Sequence, residues 1–416
     1  MEESAISYTP KYEYIEGCEQ LERYCPGGYH PVKIGDQLCD GRYSIVQLLG
    51  HGGCSTVWLA SDKRQQKLVA VKIKTADSTD QEEEIMAELR DMPLIRRLQD
   101  GFVEQGPNGT HRCLVMEAAT CSLRRSKMRS AHELLYLPTA RAIIADLVLT
   151  VQSLHDRGIV HGDIHGGNIL LRLPEDINRI KDATTLYRRF GEPITKPVVR
   201  VDRQPLDVGV PTHVHCPIRL SVRSDEIMDS HLPIMLSDFT SSYYPSRTRQ
   251  IISRTLPHIV PPEAFFIDEH KKDESLSFPS EIWTLACTVF DILGGGGPFS
   301  VMGGGILQDQ ASALGKFPEP WWSQWEERAE FFTDDGASIE FPNSKDSLED
   351  RYDWFVTAAR RRYKMEYPDE EEKRAFLQML GPMLRYVPGE RASIRDVVNS
   401  EWMQKWALPC MHRRSS

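Results

Sequence analysis

The stretch Leu68-Val69-Ala70-Val71-Lys72-Ile73-Lys74 reads as a strand with an ammonium group set among apolar residues. Lys72 constrains the fold more than any other single residue. Burying a lysine in an apolar strand is costly unless an anion meets it, so Lys72 is better read as a phosphate ligand than as a surface charge. Upstream, Tyr43-Ser44-Ile45-Val46-Gln47-Leu48-Leu49 alternates as a strand does. It runs into Gly50-His51-Gly52-Gly53-Cys54-Ser55-Thr56-Val57-Trp58, a glycine-rich turn followed by a second strand. Glycines there let the main chain approach a phosphate, which a Cβ would prevent. The three strands in succession predict a small lobe built to hold a phosphate-bearing ligand.

A second segment carries the complementary chemistry. It is His161-Gly162-Asp163-Ile164-His165-Gly166-Gly167-Asn168, followed by apolar Ile169-Leu170-Leu171. Phosphoryl transfer needs a carboxylate to accept or orient a hydroxyl proton, and an amide oxygen a few residues on to hold Mg²⁺. Asp163 and Asn168 have that spacing. Downstream, Pro233-Ile234-Met235-Leu236-Ser237-Asp238-Phe239-Thr240 reads as a strand ending in a turn, with Asp238 as a further Mg²⁺ ligand. Pro261-Pro262-Glu263, the helical Ser280-Glu281-Ile282-Trp283-Thr284-Leu285-Ala286 and the late Arg391 follow in that order.

Together these segments resemble a eukaryotic-type protein kinase, and within that family the serine/arginine-rich-protein kinases and their fungal relatives. The closer likeness rests on Tyr24-Cys25-Pro26-Gly27-Gly28-Tyr29-His30-Pro31-Val32-Lys33-Ile34-Gly35-Asp36, with Ser55-Thr56-Val57-Trp58 and Thr248-Arg249-Gln250. It covers about residues 20 to 410 and is weakest at 172–231 and 294–353. The resemblance implies an α+β, bilobal protein kinase fold, with a small β-rich N-lobe carrying one main helix and a larger, mostly helical C-lobe. Expected boundaries are an N-terminal extension at 1–42, the N-lobe at 43–119, the C-lobe at 120–410 with inserts at about 172–232 and 294–353, and a tail at 411–416. Val198-Val199-Arg200-Val201 inside the proline-rich first insert suggests that part of it packs on the lobe.

The resemblance also implies site roles. Lys72 binds the α and β phosphates of ATP and is held by an acid of the Gln81–Arg90 helix. Glu88 is the choice and Glu84, one turn earlier on the same face, the rival. Leu49, Gly50, Gly52 and Gly53 form the phosphate loop. Val57, Ala70 and Leu170 sandwich adenine, with Met116 as gatekeeper and the backbone of Glu117 to Ala119 along the adenine edge. Asp163 orients the substrate hydroxyl, Asn168 and Asp238 hold Mg²⁺, and His161 braces the loop. Arg391 pairs with Glu263.

Three departures limit the parallel. Gly162 replaces the arginine that would receive an activation-loop phosphate, so the activation segment Thr240–Gln250 is not expected to switch that way. His165 replaces the lysine that neutralises γ-phosphate charge, which predicts low turnover that rises as pH falls. Thr240 replaces a glycine and restricts the turn after Asp238.

The formal net charge of −10 over 416 residues argues against nucleic acid as a direct partner and for a cationic protein substrate, arginine/serine-rich on the resemblance. Acidic residues from Glu326 to Asp353, beside Trp321, Trp322 and Trp325, form either an acidic docking groove or a solvated face. No apolar run of about 18 residues and no basic-then-apolar leader are read in the chain, which predicts a protein off the membrane and inside the cell, in cytoplasm or nucleus; a monomer is expected. Nine cysteines without C-x-x-C pairs point to reduced thiols. Three functions fit: an active protein serine/threonine kinase, a pseudokinase that binds nucleotide or partners, and a small-molecule phosphotransferase, whose loops H-G-D-x-H-x-x-N also resembles.

Overall fold

A computed structural model describes residues 10–220, 222–227, 234–301, 305–340 and 346–412. Pro233, the loop glycines Gly303 and Gly304, and most of the expected tail lie outside the described residues. The chain divides into two compact units. One holds the residues up to Thr120 together with Arg172–Leu220, and the other holds Cys121–Leu171 and the chain from 221 onward.

In the first unit, alternating strands build a six-stranded antiparallel sheet in the order β1-β2-β3-β4-β6-β5. These are β1 Gln37–Leu38, β2 Tyr43–Gly52, β3 Ser55–Asp62, β4 Lys67–Lys74, β5 Leu98–Gly106 and β6 Gly109–Glu117. Helix α1, Gln81–Glu88, follows β4. Valines and isoleucines on one sheet face, Val69, Val71 and Ile73, pack with Tyr43, Ile45 and Trp58. The opposite face buries Val46, Leu59 and Leu68 against Ile177, Leu186 and Ile218.

Those last residues correct the expected boundaries. The first insert, through Leu220, belongs to the strand-rich unit and not to the helical one. The reason lies in β2, whose register shifts between Ile45 and Gln47 and again between Leu48 and Gly50. Strand β1 pairs only with Tyr43 and Ser44, so the bulged edge needs other cover. The insert supplies it: Tyr187 Oη donates to the Val46 carbonyl at 2.6 Å, and the Ile218 N–H donates to the Leu48 carbonyl at 2.8 Å. The N-terminal arm packs too, burying Tyr12, Leu21, Tyr24 and Tyr29 with Val198, Val210 and Val214 of the insert.

The second unit is built on two long helices, α2 Leu137–Asp156 and α3 Phe278–Leu293. Helix α2 has Pro138 in its first turn, where its missing N–H costs nothing. It is long and apolar enough by length and composition to cross a membrane, contrary to the expectation of no such run, yet 72% of that window is buried inside the fold, as in a core helix. Between them, strands β7 Ile169–Arg172 and β8 Ile234–Leu236 pair antiparallel, with Leu170 opposite Met235. In the second insert, Phe317, Trp322, Trp325 and Phe332 form an aromatic cluster that anchors a segment otherwise poor in regular structure.

Candidate functional site

Each unit carries its own set of chemical groups. In the first, Lys72 is 5% exposed, and its Nζ lies 2.6 Å from Oε1 of Glu82, itself 2% exposed. Lys74 Nζ approaches the other oxygen of Glu82 at 3.6 Å. This overturns the assignment of Glu88, and of its rival Glu84. Helical phase explains it: Glu82, Ile85, Met86 and Leu89 recur at i, i+3, i+4 and i+7 and are buried, whereas Glu84 and Glu88 fall on the exposed face.

A Cβ added at Gly50, Gly52 or Gly53 would meet nothing within 4 Å, and none of the three has a positive φ. Neither packing nor turn geometry demands glycine there, which fits a main chain kept bare for a phosphate. Val57 stands opposite Lys72, and Ala70 opposite Met116, both of the latter pair buried. Leu49, assigned to the phosphate loop, packs against the insert's apolar cluster. Glu117 is more committed than expected for an adenine edge. Its N–H reaches the Arg97 carbonyl at 3.4 Å, its carbonyl accepts from Arg96 Nε at 2.9 Å, and its carboxylate meets Arg172 Nη1 at 2.8 Å.

In the second unit the loop between α2 and β7 holds Asp163, His165 and Asn168. His161 is fully buried, with Nε2 3.1 Å from the Ser237 carbonyl, Nδ1 receiving the Asp163 N–H at 3.3 Å, and its ring edge against Phe239. It braces the loop. Asn168 Nδ2 donates to both the Asp163 carbonyl and Asp163 Oδ2 at 2.9 Å. Among the described residues Oδ1 of Asp163 is buried without a hydrogen-bond partner. A buried carboxylate oxygen left in that state is a ready acceptor for an incoming hydroxyl.

The Ser237 N–H and hydroxyl both donate to the Asn168 carbonyl, at 2.9 and 3.0 Å, and thereby tie the end of β8 to the loop. Asp238 follows in the left-handed region at φ +64, and Thr240 Oγ1 donates to its Oδ1 at 2.6 Å. With its amide nitrogen committed to Asp163, Asn168 has its oxygen left for a metal. An amide oxygen and a carboxylate are hard donors that suit Mg²⁺, which keeps waters and substrate phosphates as its remaining ligands. The described residues contain no cluster of three or more acids, histidines or cysteines suited to a metal, so no all-protein cage competes with that arrangement.

His165 Nδ1 accepts the Gly167 N–H at 2.9 Å, which leaves its proton on Nε2, 3.5 Å from Asp163 Oδ2. The ring thus meets two residues of its own loop. It lines a cavity of about 300 Å³ with Arg124, Lys127, His258 and Asp291. Burial pushes the His258 imidazole below its usual range. An imidazole thus stands at position 165, where the resemblance would place a lysine.

One residue of the loop's support went unassigned in the sequence. Glu281 of α3, 2% exposed, accepts the Gly162 N–H at 2.8 Å through Oε1 and meets His155 Nε2 at 2.8 Å through Oε2. The motif around Trp283 was visible, but only as a fold marker. Arg391 does meet Glu263, through two parallel bonds of 2.6 and 2.7 Å, with the guanidinium 5.1 Å over the Trp283 ring. Removing one partner from such a buried pair leaves a bare charge. Arg391→Ala should cost about 3–5 kcal/mol in urea unfolding, and a loss under about 1 kcal/mol would contradict the pair's structural role.

The acidic segment is partly neutralised from within. Arg351 pairs with Asp309 and Asp346, and Lys373 with Glu349 and Asp353, which leaves Glu326, Glu327, Glu330 and Glu340 exposed. In the activation segment, Arg249 donates to the carbonyls of Asp268, Glu269, Lys271 and Glu274. A guanidinium thus fastens the segment without any phosphate.

Residues 43–183 match the protein kinase domain family. The sequence is 34% identical to SRSF protein kinase 3 of Homo sapiens over 189 residues, which is 42% of this chain and 33% of that one. It is 33% identical to protein kinase dsk1 of Schizosaccharomyces pombe over 172 residues, 38% of this chain and 31% of that one. Serine/threonine-protein kinase SKY1 of Saccharomyces cerevisiae is 32% identical over 200 residues, 44% and 27% of the two chains. The chain thus spans about a third of the length of these curated relatives. A crystal structure of a kinase domain superposes with a TM-score of 0.56 at 16% identity, over 90% of this chain and 98% of that one, so the fold is that of protein kinases.

Proposed function

We propose that this chain, an SR-protein-kinase-like eukaryotic protein kinase by sequence and fold, is an ATP-dependent protein serine/threonine kinase for arginine/serine-rich proteins. The observation that carries the reading is Asp163, with Oδ2 held by Asn168 and Oδ1 buried without a hydrogen-bond partner among the described residues. Asp163 orients the serine or threonine hydroxyl and takes its proton as the oxygen bonds to the γ-phosphorus and the bond from that phosphorus to the β–γ bridging oxygen breaks, with ADP as the leaving group. Lys72, steadied by Glu82, meets phosphate oxygens, and the bare glycine-rich turn admits them. Asn168 and Asp238 are the residues that would hold Mg²⁺, which when bound would supply charge neutralisation at the phosphates.

A cationic substrate suits the net charge of −10 and the exposed glutamates from Glu326 to Glu340. The Arg249 clasp favours competence without activation-loop phosphorylation. All nine cysteines stand as free thiols, the state maintained in the cytoplasm and nucleus, where the reading places the protein. A second reading, a nucleotide-binding protein with little turnover, is favoured by His165 standing where the resemblance would place a lysine and by Thr240 occupying an oxygen of Asp238.

Purified protein with Mg-ATP and an arginine/serine-rich peptide tests this, beside Asp163→Ala and Lys72→Ala. Phosphopeptide made by the wild type and reduced by at least about 10³ in both variants is the expected result. Thermal stabilisation by Mg-ATP without phosphopeptide would decide for the second reading, and ATP consumed only with a small alcohol would overturn both.

A further inference from the structure

The Tyr24–Asp36 segment marks the family resemblance but has no part in the chemistry above. Its turn is built to tight tolerances. A Cβ on Gly28 would lie 1.8 Å from the Arg23 carbonyl, and Gly27 has φ +87, so neither position accepts another residue without strain. The turn is pinned by two neighbouring parts of the sheet's edge loops, past β4 and between β5 and β6. The Ala76 and Asp77 N–H groups, just past β4, donate to the carbonyls of Gly28 and Gly27 at 3.1 and 2.9 Å. From the β5–β6 turn, the Asn108 carbonyl accepts from the Gly27 N–H at 2.8 Å, and Asn108 Nδ2 donates to the Tyr29 carbonyl at 2.7 Å. The same amide reaches the Gly209 carbonyl of the insert at 3.1 Å.

What this framework presents is the Tyr29 hydroxyl, which donates to the Gly52 carbonyl at the tip of the glycine-rich turn at 2.7 Å. Tyr29 is 2% exposed, its ring lies 5.4 Å from that of Tyr24, and burial raises its ionisation above the ordinary phenol range, so it remains a donor. A second tie from the arm joins the Gly17 carbonyl to His51 Nε2 at 3.2 Å. On the other side of the turn the Cys54 carbonyl accepts from the Thr75 N–H at 2.9 Å. A turn made of glycines and unsupported by side-chain packing would otherwise sample many conformations, and ordering it on each binding event costs affinity.

We infer that the arm is a clasp that pre-organises the glycine-rich turn for phosphate, and that Tyr29 is its positioning residue. The inference rests on the proposed kinase activity for its kinetic consequence but not for its structural one. Removal of the hydroxyl in Tyr29→Phe should raise KM for ATP about fivefold, with kcat within about twofold, the size of one neutral hydrogen bond. Amide hydrogen exchange over Gly50–Ser55, measured on the full chain without nucleotide, should quicken by a similar factor. Tyr24→Phe is the control, because Tyr24 lies in the same cluster but donates to Glu19 and not to the turn. Unchanged exchange in Tyr29→Phe, or an equal effect from Tyr24→Phe, would overturn the clasp. If the chain transferred no phosphate at all, the kinase reading would fail, while the exchange comparison would still decide for or against the clasp.

Discussion

Glu82→Gln should lower phosphopeptide formation by about 10² while Glu88→Gln leaves it within about twofold. The difference follows from where the two acids stand on α1. Glu82 shares the buried stripe with Ile85 and Met86, and its carboxylate lies 2.6 Å from Lys72 Nζ. Loss of its charge lets the ammonium drift, and displacement of a phosphate ligand by about 1 Å can cost 10² in rate. Lys74 shares Glu82, so the substitution loosens two cations at once. Glu88 lies on the exposed face, where substitutions usually act weakly. The measurement is single-turnover transfer at saturating Mg-ATP, with urea unfolding of both variants to normalise for folded protein. A reversed order, with Glu88→Gln the more damaging, would return the pairing to the acid that the motif favoured.

That reversal of assignment shows what was legible in the sequence. The apolar residues of α1 were readable at helical spacing, and the structure buries Glu82 on the same stripe. The family resemblance pointed to Glu88 instead, and helical phase is the better guide because burial sets which carboxylate can reach a buried ammonium. Strands β2, β3 and β4 announced themselves by alternation and by the glycine turn, and Asp163, Asn168 and Asp238 by their spacing. The insert was harder to place. Its apolar residues Ile177, Leu186, Val198 and Ile218 are scattered among prolines with no period, and they become a core only against β2 and the arm. Which lobe such pieces join is long-range information that local pattern does not hold. Glu117 was opaque for a related reason, since Arg96, Arg97 and Arg172 reach it from distant points of the chain. Glu281 stood in plain view within a recognised motif, yet its bond to Gly162 depends on a close approach that no spacing reveals.

Restoring an arginine at position 162 should damage the protein rather than give it a phosphate switch. By comparison with the family pattern, Gly162 looks like a missing phosphate receptor. Its own geometry supplies a local reason for glycine: φ is +79, and an added Cβ would lie 2.5 Å from the Ser241 carbonyl. A non-glycine residue in that backbone region costs about 1–3 kcal/mol before any collision is counted. The collision is with main chain of the activation segment, which is itself tied down by the Ser242 hydroxyl donating to the His161 carbonyl at 2.8 Å. Relief therefore has to move the loop, and the loop's N–H at position 162 is a donor to the buried Glu281 carboxylate. Losing that bond adds roughly 1.5–3 kcal/mol, the worth of a hydrogen bond to a charged group. Gly162→Arg is expected to lose about 3 kcal/mol or more in urea unfolding and most of its transfer activity, with less than tenfold gain when Ser241, Ser242, Tyr243 or Tyr244 is phosphorylated. Full stability together with a larger phosphorylation-dependent gain would mean that the loop tolerates a receptor there, and that Gly162 is a lost switch and not a structural requirement.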